Sequence, residues 1–201
     1  NPVKYFKWPA LNQFKNQIKD FIPVARYSDM LLNPEKNFTF NGQTYPYPNI
    51  KLVYWAGGNP FHHQMNLSKL RKATFKPDTI ITNEIWWNSL ARHADIVLPT
   101  TTTLERNDIG FRHWEQTVSP MHKAIDPIGN SRNDFDIFSL ISEKLGIKEQ
   151  FTENKNEEEW LKTLWDEAKE SARENNFYLP DFDQFWNGGF FEVLKPTHEQ
   201  I

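Results

Sequence analysis

The sequence predicts an α/β fold in which helices flank a parallel sheet. Three short apolar runs, at residues 50–56, 79–82 and 96–98, have the length and composition of buried strands. A helical pattern through Leu67 fills the first interval, and a short one at residues 86–91 fills the second. Strand, helix and strand at this spacing are typical of a parallel sheet, whose carboxyl edge is open to ligands.

The residues before the first strand predict a lead-in of short elements. One helix is predicted over residues 11–21, where apolar side chains recur at helical spacing, and a second over residues 25–32, ended by an Asn-Pro pair. Alternating apolar residues around Asn41-Gly42 predict a hairpin over residues 38–48.

After the third strand the chain predicts further β structure and then helices. Two β segments are expected around residues 114–119 and 123–125, followed by a helix over residues 134–145 that a Gly ends. The acidic run at residues 157–159 begins another helix, because negative charge suits the positive end of the helix dipole. Residues 182–191 predict a tail that either docks on another surface or caps this core.

Composition excludes several classes of function. The 201 residues carry 23 Lys and Arg against 26 Asp and Glu, so no basic surface for nucleic acid is expected. The absence of cysteine excludes a disulfide scaffold, a cysteine-ligated metal and a thiol nucleophile. No run reaches the roughly 18 apolar residues of a membrane span. Because the first residue is Asn1 and not Met, we expect a piece of a longer protein, with any export signal outside it.

The sharpest local feature is Gly57-Gly58-Asn59, directly after the first predicted strand. Two glycines allow the backbone to approach a ligand closely, and the helix start that follows offers free N–H groups to a pyrophosphate. The pattern is neither GxGxxG nor a P-loop, and a tight turn that binds nothing is the alternative. Asn83 ends the second strand, where nucleotide-binding α/β folds place a polar group against the ribose; a solvated strand end is the alternative there.

The remaining polar clusters predict no catalytic centre and no metal site. His62 and His63 are adjacent and project in different directions, without a partner at ligand spacing, and His93 favours a structural hydrogen bond. No nucleophile-elbow GxSxG occurs. Four threonines precede Glu105 and Arg106. Either the threonine hydroxyls and the Arg hold phosphate or ribose, or Arg106 and Glu105 pair with nearby charges.

Four ordered motifs carry a resemblance to a known family. They are LVYWAGGNPFHHQ at residues 52–64, ARHADIVLP at 91–99, LERNDI at 104–109 and SRNDFDIF at 131–138. Together they resemble the dimethyl sulfoxide, trimethylamine N-oxide and biotin sulfoxide reductase group of the molybdopterin oxidoreductases. The likeness runs from about Pro2 to the end of the chain.

The resemblance implies a Rossmann-like third domain of a much longer molybdenum oxidoreductase. Such enzymes hold molybdenum between two molybdopterin guanine dinucleotides and remove oxygen from S-oxides or N-oxides in anaerobic respiration. The molybdenum ligand and the substrate pocket belong to other domains, so the chain alone is expected to hold no cofactor and to turn nothing over. A c-type cytochrome as electron donor and the periplasm as compartment are implied, or the cytoplasm for a biotin sulfoxide reductase.

Carried over by position, the resemblance implies dinucleotide contacts for seven residues. The glycine turn would approach the dinucleotide, a histidine would lie beside it, and the strand-end asparagine would meet the guanosine. These residues are Gly57, Gly58, Asn59, His63, Asn83, Arg106 and Asp134. The expected organisation of the single domain is a lead-in over residues 1–49, a nucleotide-binding core over 50–150, and a terminal helix with its tail over 151–201.

Two other functions remain open at the level of sequence. One is a free-standing nucleotide-binding or interaction module that uses the same loops, and the other is a flavodoxin-like electron carrier, which would be yellow when purified. The 30 aromatic residues, eight of them Trp, also predict surfaces that face neighbouring domains. The residues expected there are Trp86, Trp87, Phe185 and Trp186.

Overall fold

The computed structural model describes residues 8–11, 14–15, 17–18, 21–111 and 117–193. The strands are β1 (Asn37–Phe40), β2 (Gln43–Pro46), β3 (Leu52–Ala56), β4 (Thr79–Glu84), β5 (Ile96–Pro99), β6 (Asp108–Phe111), β7 (Thr117–Met121) and β8 (Phe191–Glu192). The α-helices are α1 (Tyr27–Leu32), α2 (Pro60–His63), α3 (Leu67–Ala73), α4 (Asp134–Lys144), α5 (Lys148–Thr152), α6 (Glu157–Glu174) and α7 (Phe182–Gly188).

The chain divides into two compact units. Lys15–Thr100 form one, called the sheet unit below, and Asn1–Phe14 with Thr101–Ile201 form the other, called the helical unit. The boundary at Thr100 falls directly after β5. The expected organisation into residues 1–49, 50–150 and 151–201 remains a prediction about the domain as a whole.

The sheet unit contains a three-stranded parallel sheet, which confirms the predicted α/β class. The strands lie in the order β3-β4-β5, and the register pairs Ala56 with Asn83, so both strands end at one edge. Between β3 and β4, helix α3 fully buries Leu70 and Ala73 and packs against α1. Helix α3 therefore lies between two parallel strands, as the helical pattern between the first two apolar runs predicts.

The predicted hairpin is confirmed, because β1 and β2 pair antiparallel around a turn with positive φ at Asn41 and Gly42. The prediction of a helix over residues 11–21 is wrong for the described residues of that range, because none of them is helical. Phe14 has a φ of 45°, in the left-handed region that an α-helix excludes. Residues 12, 13, 16, 19 and 20 of that range lie outside the described residues.

The prediction of a short helix over residues 86–91 is also wrong. The Glu84 carboxylate accepts hydrogen bonds from the N–H groups of Ile85 and Trp86, so these donors serve a side-chain-capped turn. Only a 3-10 turn follows, over Ala91–His93.

The helical unit contains a small antiparallel sheet whose pairing differs from the prediction. The segment predicted around residues 114–119 is β7 where it is described, whereas residues 123–125 form no strand. Strand β7 pairs instead with β6 on one side and β8 on the other. The short sequence distance favoured residues 123–125, but β6 carries Gly110, which admits the Ser119 and Met121 side chains of β7.

The core of the helical unit is aromatic. Helix α6 begins at the predicted acidic run, where Asn156 and Glu159 form a capping box, and it buries Trp165 completely. The Phe185 ring stacks on Trp165 at 3.7 Å between centroids, and the Trp165 indole donates to the Pro180 carbonyl at 2.9 Å. The tail thus caps its own core.

Two of the four aromatics predicted to face neighbouring domains therefore lie elsewhere. Phe185 is 2% exposed, and Trp186 is half-buried, stacked on Phe182. Helix α7 turns both rings toward the core because α6 offers an aromatic surface to cover.

Replacing Gly110 by Ala will destabilise the helical unit. A Cβ there would lie 2.9 Å from Ser119 Oγ, closer than a Cβ can approach without a shift, and 3.1 Å from Met121 Sδ, which is a tight contact. We expect the free energy of unfolding to fall by about 1–3 kcal/mol, the usual cost of overpacking. Urea denaturation followed by circular dichroism measures the change.

The matched control for this prediction is Gly188→Ala. Gly188 ends α7, and a Cβ there meets nothing within 4 Å. Its replacement should leave stability unchanged or raise it by about 0.4–1 kcal/mol. Equal effects of the two substitutions would show that the contact with Ser119 does not limit the pairing of β6 with β7.

Candidate functional site

The turn after β3 needs glycine at two positions. Gly57 has a φ of 81° and Gly58 a φ of 77°, in the region where residues with a Cβ are strained. A Cβ built on either glycine meets nothing within 4 Å, so packing against neighbours does not explain them. The turn consequently presents bare backbone to open space at the carboxyl edge of the sheet, where α/β folds bind ligands.

Asn59 follows these glycines and carries the most informative polar group of the turn. It is the N-cap of α2, and its Oδ1 accepts a hydrogen bond from the Phe61 N–H at 3.0 Å. The residue is 7% exposed, and its buried Nδ2 has no hydrogen-bond partner within the described ranges of the chain. A buried donor without a partner costs about 1–3 kcal/mol, which an acceptor on a ligand would offset.

Asn83 lies at the same sheet edge as this turn. It is buried at the end of β4, where its Oδ1 accepts a hydrogen bond from the Tyr54 hydroxyl at 2.8 Å. This contact holds the amide plane in one orientation. Tyr54 has no local sequence signal for this role, since its partner lies 29 positions along the chain and only strand pairing brings the two together.

The histidines occupy different environments. His63 is exposed and ends α2. His93 Nδ1 lies 2.7 Å from the Ser89 carbonyl, so this nitrogen carries the proton and donates, and the predicted structural hydrogen bond is confirmed. Across the described ranges no group of three or more His, Asp and Glu side chains is arranged to hold a metal ion.

Arg106 lies in the helical unit and is engaged with its own neighbours. Its Nε donates to Asp108 Oδ2 at 3.2 Å, and its Nη1 donates to the Thr101 carbonyl at 3.1 Å. These contacts are the pairing with nearby groups that was one of the two interpretations of the sequence, and contact of Arg106 with phosphate or ribose stays a prediction. Arg106 also lines a cavity of about 460 Å³ together with Lys123 and Arg132.

Glu105 organises the loop that carries Arg106. Its carboxylate accepts hydrogen bonds from the N–H and hydroxyl of Thr102 at 2.7 and 2.8 Å, and from the Ile128 N–H at 2.7 Å. The backbone hydrogen bond from Thr102, followed by that from Ile128, lowers the pKa of the Glu105 carboxyl from its ordinary value. Glu105 therefore does not pair with Arg106. The Thr-x-x-Glu spacing, which is that of a capping box, was the available sequence signal.

Replacing Glu105 by Gln will change the pH dependence of stability. Because the folded carboxyl has the lower pKa, its stabilisation is present above the unfolded pKa and disappears as pH falls through the folded value. We expect the variant to be less stable than the parent at pH 7 and to lose less stability on acidification below about pH 5. Thermal unfolding midpoints between pH 3 and pH 7 measure both effects, and parallel curves would contradict the prediction.

Asp134 is the first residue of α4. The N-cap before it, Asn133, accepts a hydrogen bond from the Phe135 N–H at 3.3 Å and donates from Nδ2 to Glu157 at 2.5 Å, which ties the starts of α4 and α6 together. Asp134 and Arg106 thus belong to the helical unit. The other five predicted site residues belong to the sheet unit, where Gly57, Gly58 and Asn59 adjoin the edge that Asn83 shares.

The chemical groups at this sheet edge are hydrogen-bonding groups. The arrangement offers bare backbone, a buried amide donor and an oriented second amide at one sheet edge, which are the groups that recognise phosphate and ribose oxygens. In the part of the chain that the structure describes, no helix is long and apolar enough to cross a bilayer.

The relatives of this chain are much longer than it is. The chain is 44% identical over 189 residues to a biotin sulfoxide reductase of Cereibacter sphaeroides, covering 94% of this chain and 25% of the relative. It is 44% identical to a dimethyl sulfoxide/trimethylamine N-oxide reductase of the same species and 45% identical to a trimethylamine-N-oxide reductase of Haemophilus influenzae. These matches cover 85% and 84% of this chain and 21% of each relative.

A solved structure shares the fold. Acetylene hydratase from Pelobacter acetylenicus superposes with a TM-score of 0.54 at 16% identity, over 75% of this chain and 19% of that one. The likeness at this identity concerns the fold alone.

A family model described as molybdopterin oxidoreductase matches residues 8–144. This range includes the glycine turn, Asn83, Arg106 and Asp134. Because the match spans more than half of the chain, the chain belongs to the molybdopterin oxidoreductase family.

Proposed function

We propose that this chain is the dinucleotide-binding domain of a molybdenum reductase that removes oxygen from S-oxides or N-oxides. Support comes from the family match and from relatives named biotin sulfoxide, dimethyl sulfoxide and trimethylamine N-oxide reductases. The chain spans about a quarter or less of those relatives, so it represents one part of the enzyme.

The observation that carries the proposal is the unpaired Nδ2 of Asn59. This nitrogen is buried and has no hydrogen-bond partner among the described residues, and Asn59 follows two glycines at which a Cβ would meet no described atom within 4 Å. A phosphate or ribose oxygen of a guanine dinucleotide would accept from this donor, and the glycine backbone would allow it to come close. The residues present therefore fit the dinucleotide part of the cofactor.

The other predicted contacts complete the proposed site. Asn83, oriented by Tyr54, would meet the guanosine, and His63 would lie beside the dinucleotide. Arg106 and Asp134 belong to the helical unit, and their contacts with the dinucleotide remain predictions that rest on the resemblance. Each of these roles is one of binding and orientation, and none of the residues is assigned a catalytic role.

When bound, the molybdenum–pterin group supplies two-electron oxygen-atom transfer. The chain's own residues contribute the affinity and the orientation that this chemistry needs. Backbone N–H groups at the turn and the amide of Asn59 would hold the phosphates, while the buried Asn83 would select the nucleoside end.

The parent enzyme is proposed to act in anaerobic respiration. A c-type cytochrome would deliver electrons to the enzyme in the periplasm. If the substrate is biotin sulfoxide, the enzyme would act in the cytoplasm instead. Cell fractionation with an antibody against this chain distinguishes the two compartments. Recovery with the cytoplasmic marker would direct the substrate assignment to biotin sulfoxide.

The test of the proposed function uses the full reading frame that contains these 201 residues. The purified parent should contain molybdenum and release GMP on acid hydrolysis, and it should oxidise a reduced viologen dye when an S-oxide or N-oxide is added. The 201-residue chain alone should oxidise no dye. A parent without molybdenum, together with a chain that binds GMP or FMN tightly by itself, would instead identify a free-standing nucleotide-binding module or an electron carrier.

A further inference from the structure

Residues 85–88, which we call the Trp loop, expose two indole rings directly after β4. Trp86 is 68% exposed and Trp87 is 65% exposed, and the preceding Ile85 is also exposed. Tryptophan is strongly buried on average, and each indole can bury about 150–250 Å² of surface. The proposed cofactor contacts at Asn59 and Asn83 do not include these rings.

The backbone of the Trp loop is held in place. Glu84 Oε1 accepts from the Ile85 N–H at 3.0 Å, and Glu84 Oε2 accepts from Asn88 Nδ2 at 2.7 Å. The Asn88 N–H in turn donates to the Trp86 carbonyl at 2.8 Å. The two indoles are therefore displayed by a turn with its own hydrogen bonds, so little ordering of the loop would be needed for binding.

The loop is also anchored into the sheet unit. Asn88 Oδ1 accepts from the Ala91 N–H at 3.1 Å, and the neighbouring Leu90 and Ala91 are each 1% exposed. Interface hot spots are enriched in Trp, and the Trp loop presents two Trp side chains from an ordered backbone with buried neighbours.

We propose that the Trp loop is the docking surface for the polypeptide of the same reductase that lies outside these 201 residues. The inference rests on the proposed function, which makes this chain one domain of a longer enzyme. The relatives extend about three chain lengths beyond the matched part, since the match covers 25% or 21% of them. That polypeptide supplies the covering surface.

The chemistry of the loop specifies the partner surface. Residues 85–91 carry no charge, so a charged partner would lose its hydration without gaining an ion pair. The fitting partner is an apolar pocket with hydrogen-bond acceptors at its rim for the two indole N–H groups. The position of the loop after Asn83 also brings it near the proposed dinucleotide site, so stacking of a guanine base on an indole is the competing outcome.

Hydroxyl-radical footprinting with mass spectrometry tests the proposal residue by residue. Trp86 and Trp87 should be oxidised rapidly in the 201-residue chain and at least tenfold more slowly in the full parent enzyme. Trp165, which is fully buried, should react slowly in both and serves as the internal reference. A third sample contains the 201-residue chain with millimolar GMP.

Two outcomes would overturn the docking proposal. Equal oxidation of Trp86 and Trp87 in chain and parent would mean that no part of the enzyme covers the loop. Protection by GMP in the isolated chain would make a nucleobase the occupant. Molybdenum content is measured on the same parent preparation, so protected indoles in a molybdenum-free parent would overturn the proposed function and leave the docking surface in place.

A pair of variants adds a second measurement. The double variant Trp86→Ser/Trp87→Ser should keep the unfolding midpoint of the 201-residue chain, because both rings are exposed there. The same variant of the parent should be digested by protease several-fold faster. Phe75→Ser, at an exposed ring elsewhere in the sheet unit, is the matched control. Equal protease resistance of wild-type and double-variant parents would contradict the proposal.

Discussion

Replacing Trp165 by Ala will lower the free energy of unfolding of the helical unit by about 3–5 kcal/mol, the usual cost of truncating a buried tryptophan. The Trp165 ring is 0% exposed, stacks on Phe185 at 3.7 Å and donates to the Pro180 carbonyl at 2.9 Å. The substitution leaves a cavity in the core and a buried carbonyl without its donor. Because a domain is stable by only about 5–15 kcal/mol, this loss is a large share of the total.

Urea denaturation followed by circular dichroism measures this loss. The matched control is Trp87→Ala, which removes the same side chain from an exposed position and should change stability by less than about 0.5 kcal/mol. Similar effects of the two substitutions would mean that the stacked Trp165–Phe185 pair is not the centre of the core. A midpoint change without a change in slope would show that the variant unfolds to the same denatured state.

Replacing Asn59 by Ser will weaken retention of the cofactor by the parent enzyme about 10–100-fold while leaving the fold intact. Serine is also a good N-cap, so its hydroxyl can accept from the Phe61 N–H in place of Oδ1. The variant lacks the buried Nδ2 donor, which has no hydrogen-bond partner in the part of the chain that the structure describes. Loss of one hydrogen bond to a charged phosphate costs about 1.5–3 kcal/mol, which corresponds to this range of affinity.

The rate at which purified parent enzyme releases molybdenum and GMP-containing cofactor measures the effect. Asn66→Ser is the matched control, since Asn66 caps α3 by accepting from the Lys69 N–H at 3.1 Å but lies away from the glycine turn along the chain. It should release cofactor at the wild-type rate. Unchanged release from the Asn59→Ser variant would remove the main support for a dinucleotide at this turn.

Local patterns were sufficient for much of the sheet unit. The strands β3, β4 and β5 were predicted because each is a short apolar run, and the hairpin because Asn41-Gly42 is a specific turn pair. The tight turn at Gly57 and Gly58 is also a local prediction, because two adjacent glycines directly after a strand favour a turn. In each case the signal lies within a few neighbouring residues.

Contacts between distant residues account for the errors. The partner of β7 is Asp108–Phe111, which reads as a charged loop in sequence, and its selection depends on the fit of Ser119 against Gly110. The helix predicted at residues 86–91 was prevented by one carboxylate, Glu84, which takes the N–H groups of the turn. Helix α5 was missed because only five residues form it.

The sequence by itself determined the α/β class, the parallel sheet formed by β3, β4 and β5, and the family, because strand periodicity, turn glycines and ordered motifs are properties of neighbouring residues. Tertiary structure alone decided which polar groups are satisfied. It paired Tyr54 with Asn83, supplied the Ile128 N–H as a donor to the Glu105 carboxylate, and left Asn59 Nδ2 buried without a hydrogen-bond partner among the described residues. The physical reason is that burial and hydrogen bonding depend on which residues the fold brings together, whatever their separation along the chain.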